Sequence, residues 1–93
     1  MIGPNQPGFT LSDASIQANA PAQSGVYALY TAREWVYVGE SQDIQSRLKE
    51  HMRDQRIMRY GPTGFCFELH PAATRKTREQ ALIAQLNPSA NRT

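Results

Sequence analysis

Six side chains in this 93-residue sequence are of types that move protons, hold cations or grip anions: Tyr27, Tyr37, Arg47, His51, Glu79 and Asn91. His51, with an ordinary pKa of about 6.5, can give or take a proton near neutrality. Arg47 stands four residues before it, one helical turn away, and a guanidinium there grips two phosphate oxygens at once without ever losing its charge. Glu79 offers the hard oxygen that a divalent cation of the magnesium kind prefers. Tyr27 and Tyr37 are phenols of pKa about 10, which act as bases only where neighbouring cations favour the phenolate; Arg47, His51 and a bound metal ion are the available ones. Arg75, Lys76 and Arg78 crowd the opening turn of a predicted helix, where the helix dipole disfavours cations unless an anion compensates; an approaching phosphate would do so. Taken singly, each has a plainer explanation. Two hairpin tyrosines pack as a cross-strand pair, and a helix arginine is usually solvated. His51 and His70 alone fall short of a zinc site, and His70 reads as a strand-end residue.

The elements that must position these groups can be read from periodicity. Gly25-Val26-Tyr27-Ala28-Leu29-Tyr30 and Trp35-Val36-Tyr37-Val38 are rich in β-branched and aromatic residues and are joined by a short polar link, which predicts a β-hairpin. Pairing Tyr27 directly across from Tyr37 would put Val26, Ala28, Val36 and Val38 on one face and Tyr27, Leu29, Trp35 and Tyr37 on the other. Gly39 ends the hairpin. Ser41 or Asp43 can then cap a helix in which Ile44, Leu48 and Met52 form a core stripe beside the ridge of Arg47 and His51. Gly61-Pro62 marks a turn before a third strand, where Phe65, Phe67 and Leu69 alternate with Cys66, Glu68 and His70 until Pro71. A last helix runs from about residue 74 to 86 with Leu82, Ile83, Leu86 and Glu79 on one face, and Pro88 stops it. The expected class is α/β (α+β): a small three-stranded antiparallel sheet flanked by helices, in the order hairpin, helix, strand, helix.

Residues 1–24, with three prolines, two glycines and many small polar residues, read as an N-terminal arm in which Ser12 or Asp13 caps a short helix through Ile16; residues 25–93 form the single domain. A lone cysteine, Cys66, excludes an intrachain disulfide and predicts a reducing, cytoplasmic setting; neither a secretory leader nor a membrane-spanning run is expected. The net charge of +2 conceals an asymmetry, for residues 1–46 carry −3 and the remainder +5. A basic half suits a polyanion, because lysines and arginines that neutralise phosphates release condensed counterions.

Gly25-Val26-Tyr27 and Tyr37-Val38-Gly39, followed in order by Ser41, Ile44, Arg47, Leu48, His51, Glu79 and Asn91, resemble the signature of the GIY-YIG nucleases across roughly residues 21–93. Only the middle letter of each triplet differs. Either tripeptide alone is common; the combination is specific. The resemblance implies a metal-dependent endonuclease acting on nucleic acid, DNA before RNA; weak sequence preference, self-association as a homodimer and recruitment by a protein partner are the alternative ways for so small a core to meet its target. It implies Glu79 as the ligand of one Mg²⁺ or Mn²⁺, and Tyr27 as general base or proton relay. Tyr37 would orient the nucleophilic water or contact the phosphate, and Arg47 would be the cation on that phosphate. His51 would exchange a proton with Tyr27 or donate to a phosphate oxygen. Gly25, Gly39 and Asn91 would support the site, and Arg75, Lys76 and Arg78 would contact nucleic acid. In some members a lysine follows the second triplet; Glu40 stands here, which removes a cation from the phosphate path or adds a carboxylate near the metal. The competing reading is a binding module that keeps the fold and has lost cleavage.

Overall fold

The computed structural model describes residues 8–92. Its elements are β1 (Phe9–Thr10), α1 (Asp13–Asn19), β2 (Gly25–Tyr30), β3 (Trp35–Ser41), α2 (Ile44–His51), α3 (Gln55–Met58), β4 (Gly64–Leu69) and α4 (Ala72–Leu86), closed by a 3₁₀ turn at Ala90–Arg92. The sheet has four antiparallel strands in the order β1-β4-β2-β3, which corrects the three-stranded expectation. The strand the sequence concealed is β1. With two residues paired as Phe9↔Phe65 and Thr10↔Gly64, it is too short to show an alternating pattern, and it lies close behind the prolines and glycines that read as punctuation. Ser12 caps α1 by accepting from the Ser15 N–H at 3.2 Å, and α1 buries Ile16 in the main core.

Two apolar layers hold the sheet. On one face Tyr27, Leu29, Val36 and Phe65 pack with Ile16 of α1, Ile44 and Leu48 of α2 and Ile57 of α3; on the other Val26, Ala28, Val38 and Cys66 pack under Leu82 of α4. The hairpin register is Tyr27↔Gly39 and Leu29↔Tyr37, offset by two residues from direct Tyr27–Tyr37 pairing. A shift of two preserves the faces, so both tyrosines still point the same way, their ring centroids 6.3 Å apart. A bulge between Leu29 and Tyr30 brings Tyr30 opposite Trp35. The extra residue in β3 turns Val36 toward the α2 face and Trp35 toward the α4 face, against the alternation read from sequence.

Asp43, not Ser41, caps α2, accepting from the Ser46 N–H at 3.0 Å. Four residues of α3, capped by Asp54, follow within the stretch before Gly61-Pro62 and bury Ile57; a single turn with two adjacent apolar residues, Ile57 and Met58, leaves no periodicity to read. α4 starts at Ala72, with Pro71 as a cap that has no side-chain acceptor. Among the described residues no helix is long and apolar enough to cross a membrane.

Both signature glycines are needed for close approach rather than for unusual dihedrals. A Cβ at Gly39 would lie 2.6 Å from Tyr27 Cζ and 2.9 Å from Tyr37 Cε2; one at Gly25 would meet Ile44 Cδ1 at 2.8 Å. Tyr27 is fully buried and cannot retreat. Gly39→Ala is therefore expected to lower stability by about 1–3 kcal/mol, read as a fall in thermal midpoint, and to displace the Tyr27 hydroxyl. An unchanged midpoint would show that the tyrosine pair tolerates a methyl group there.

Candidate active site

The chemistry-bearing residues gather beside β3, the edge strand. Tyr27 projects from β2 and Tyr37 from β3, while α2 lays His51 across them. The Tyr27 hydroxyl lies 2.5 Å from His51 Nε2, and the His51 ring is 5.5 Å from that of Tyr27 and 5.0 Å from that of Tyr37. Tyr27 has no exposed surface and His51 retains 7%. Burial, followed by the neighbouring Arg47 charge, pulls the His51 pKa down to about 4, so the imidazole is neutral at pH 7. Burial pushes the Tyr27 phenol well above its ordinary pKa, with Tyr37 adding to the rise and Arg47 opposing it. Among side chains, the sequence offers Arg47 and His51 as cations that lower Tyr27. Only Arg47 acts so; burial keeps His51 from being a cation at all. With the phenol protonated and the imidazole neutral, the short contact is satisfied by Tyr27 Oη–H donating to an unprotonated Nε2.

Arg47 is exposed one helical turn before His51 and pairs with Glu50 at 3.1 Å. An exposed i,i+3 pair of this kind contributes little, so a phosphate can displace Glu50. Tyr37, Arg47 and His51 share the rim of an open cleft of about 500 Å³. Tyr37 also keeps its proton, its pKa raised by burial first and by Glu79 second. It is available as a hydrogen-bond donor to an anion in that cleft.

Glu79 arrives from α4, on the opposite side of the sheet, and reaches the edge of β3, where its carboxylate accepts from the Glu40 backbone N–H. Its charge bears on both tyrosines. Its pKa is raised, by burial first and by the Glu40 carboxylate second, and its side-chain partner is the neutral Gln80 amide at 3.3 Å. A half-buried carboxylate repelled by another, whose nearest opposing charge, Lys76, does not outweigh burial and Glu40, suits a divalent ion. Among the described residues no three His, Cys, Asp or Glu side chains converge on one point. An ion here would rest on Glu79, with waters and phosphate oxygens for its other ligands, as suits an ion that dehydrates reluctantly.

Asn91 occupies the same strand edge. Its Oδ1 accepts from Val38 N–H at 2.8 Å and its Nδ2 donates to Val38 C=O at 3.0 Å, so the amide pairs with β3 as a further strand would. The Ser89 N–H bonds to Trp35 C=O alongside, and Ser89 Oγ bonds to the Glu34 carboxylate. The covered edge fixes the strand that carries Tyr37 and Gly39. Asn91→Ala is expected to cost about 1–2 kcal/mol and to speed amide exchange at Val38. Unchanged exchange at Val38 would remove Asn91 from this role.

Two of the three bases that open α4, Arg75 and Arg78, are paired within the fold, while Lys76 is exposed. Arg75 Nε bonds to Glu40 Oε1 at 2.5 Å and Arg78 Nε to Glu68 Oε1 at 2.5 Å; His70 Nε2 lies 2.7 Å from the same Glu68 oxygen. For these two arginines the compensating anion is a carboxylate of the sheet and not a ligand. Glu40 is tied to Arg75. Sequence reasoning passed over Ser24, whose Oγ donates to His70 C=O at 2.7 Å and accepts from Arg75 Nη1 at 3.0 Å, and no residue spacing signals such a link.

The model of the GIY-YIG catalytic domain family matches residues 23–92, which span every group just described. The chain belongs to the GIY-YIG family. The N-terminal endonuclease domain of UvrC from Thermotoga maritima, bound to magnesium as its catalytic divalent cation, superposes with a TM-score of 0.69 at 20% identity, covering 81% of this chain and 93% of that one. A tyrosine-to-phenylalanine point mutant of the same domain, also bound to its catalytic cation, gives the same score and identity over 81% of this chain and 92% of that one. At such identity the likeness is one of fold. No curated protein sequence matches the chain.

Proposed function

We propose that this GIY-YIG domain is a metal-dependent endonuclease that hydrolyses phosphodiester bonds in DNA. The observation that carries the reading is the buried 2.5 Å contact between Tyr27 Oη and His51 Nε2, in which His51 also lines the cleft that Tyr37 and Arg47 share, with Glu79 close enough for its charge to act on both phenols. A binding module has no use for a buried proton-transfer pair. It would also bind DNA more tightly with a base in place of Glu79. The N-terminal endonuclease domain of UvrC carries the same fold.

The scissile phosphate approaches Arg47, whose guanidinium leaves Glu50 for two phosphate oxygens and stabilises the charge that grows on them. Tyr37, protonated, donates to the same phosphate or to the attacking water. Once substrate binding lets that water reach the buried Tyr27 hydroxyl, Tyr27 takes the water's proton while passing its own to His51 Nε2, so no free phenolate need form at neutral pH. The incoming anion raises the basicity of His51, opposing Arg47. A divalent cation at Glu79, Mg²⁺ or Mn²⁺, would draw charge from the phosphate and lower the pKa of water.

Nicking of supercoiled plasmid by purified protein with Mg²⁺, Mn²⁺ or EDTA tests this. Cleavage that needs the metal supports the proposal. Binding without cleavage, on branched and single-stranded DNA as well, overturns it in favour of a binding module.

A further inference from the structure

The cleft beside the catalytic residues does not end at them. It continues to the short helix α3, where its wall includes Asp54, Arg56 and Arg59. These residues play no part in the chemistry proposed above. Arg47 and Arg56 are paired with Glu50 and Asp54, at 3.1 and 3.3 Å. For Arg59, among the described residues, no carboxylate partner is found. Its guanidinium instead lies over the Tyr60 ring, 5.2 Å from the centroid, with Nη2 3.4 Å from the Tyr60 hydroxyl. Stacking on an aromatic ring pre-orders the side chain without neutralising it. A cleft whose lining holds three arginines and two carboxylates, with one arginine held in place and uncompensated, suits a second anion next to the first. A nucleic-acid strand supplies one, since its phosphates follow one another within a few ångströms.

We infer that Arg59, assisted by Arg56, binds a backbone phosphate of the DNA strand flanking the scissile bond, so that the α3 end of the cleft is a second phosphate subsite. The inference rests on the nuclease reading of the neighbouring residues. Arg59 is the principal contact; Arg56 contributes to the extent that a phosphate draws it from Asp54. The subsite positions the strand and takes no part in bond breaking. Its effect falls on binding and on the salt dependence of binding.

The test uses Glu79→Ala protein in EDTA, where nothing is cut, with a fluorescein-labelled 12-nucleotide single strand and a 20-base-pair duplex titrated across a series of KCl concentrations. Adding Arg59→Ala is expected to weaken binding about tenfold at low salt and to reduce the slope of log affinity against log salt by about one. Arg33→Ala, an exposed arginine in the β2–β3 turn outside the cleft, should change neither. Asp54→Asn keeps the α3 cap but frees Arg56, and is expected to tighten binding two- to threefold. A misfolded protein would not show that gain. If Arg59→Ala weakens binding no more than Arg33→Ala, or Asp54→Asn fails to tighten it, the subsite is wrong whatever the plasmid assay shows. Arg59-dependent binding with no cleavage on any DNA would leave the subsite standing and sink only the endonuclease.

Discussion

Glu79→Ala is expected to reduce metal-dependent cleavage by at least about 10³-fold, because it removes the half-buried carboxylate beside the tyrosines on which a divalent ion would rest. The fold should not suffer. In the native chain the Glu79 carboxylate is disfavoured by burial and by Glu40, and its neutral Gln80 partner offers little return. Deleting a charge held in such a place is neutral or stabilising, the usual signature of a group kept for function at some expense of stability. Glu79→Gln separates charge from shape, since it can still accept from the Glu40 N–H, and should be as inactive as the alanine variant.

A stability measurement independent of turnover follows from the raised pKa. A carboxyl group that holds its proton more firmly when folded makes the fold gain stability as pH falls from the raised folded value toward the ordinary value of about 4.5. The native chain should show that gain, and Glu79→Gln should not. Above that range, added Mg²⁺ should raise the thermal midpoint of the native chain and leave both variants unmoved. A variant that still melts higher with Mg²⁺ would place the ion elsewhere and take this role from Glu79.

The parts of the fold with strong local periodicity were legible, and those decided by neighbours were not. Ile44 and Leu48 announce α2 because four-residue spacing of large apolar groups has one common structural meaning, and Phe65 with Phe67 announces β4 in the same way. Strand β1 is two residues long and exists only because β4 offers it an edge. The bulge at Val36 inverts Trp35 through a backbone insertion that no side-chain pattern records. Residue types in the site were visible because their combination is rare. Their electrostatics were not, since it is burial, aided by Arg47 at His51 and by Tyr37 at Tyr27, that makes His51 neutral and Tyr27 reluctant to ionise. The carboxylates that neutralise Arg75 and Arg78 lie ten or more residues away in sequence and come close only when α4 packs across the sheet.

Tyr27→Phe is the sharper test of mechanism, because it removes one oxygen atom and leaves the ring that fills the core. Cleavage should fall by about 10²- to 10⁴-fold, the ordinary range for loss of a positioned acid or base. Stability should fall too, by about 1–3 kcal/mol, since buried His51 Nε2 loses its partner at 2.5 Å. The pH dependence then distinguishes a relay from a tyrosine that merely packs. His51 has a pKa of about 4 in the fold against about 6.5 when unfolded. The contribution to stability is therefore complete above pH 6.5 and declines as pH falls toward 4, because the unfolded chain takes up the proton first. The loss is at most about 3 kcal/mol, and it should be absent from a His51→Gln variant. For the relay, kcat/KM requires a neutral His51 and a protonated Tyr27 in the free enzyme. The native profile should therefore show no acid limb centred near 6.5, and no alkaline limb below about pH 10 from a phenol whose pKa burial has raised. An acid limb centred near 6.5 that disappears in His51→Gln would mean that His51 titrates as if solvated, and the proton would need another route from Tyr27.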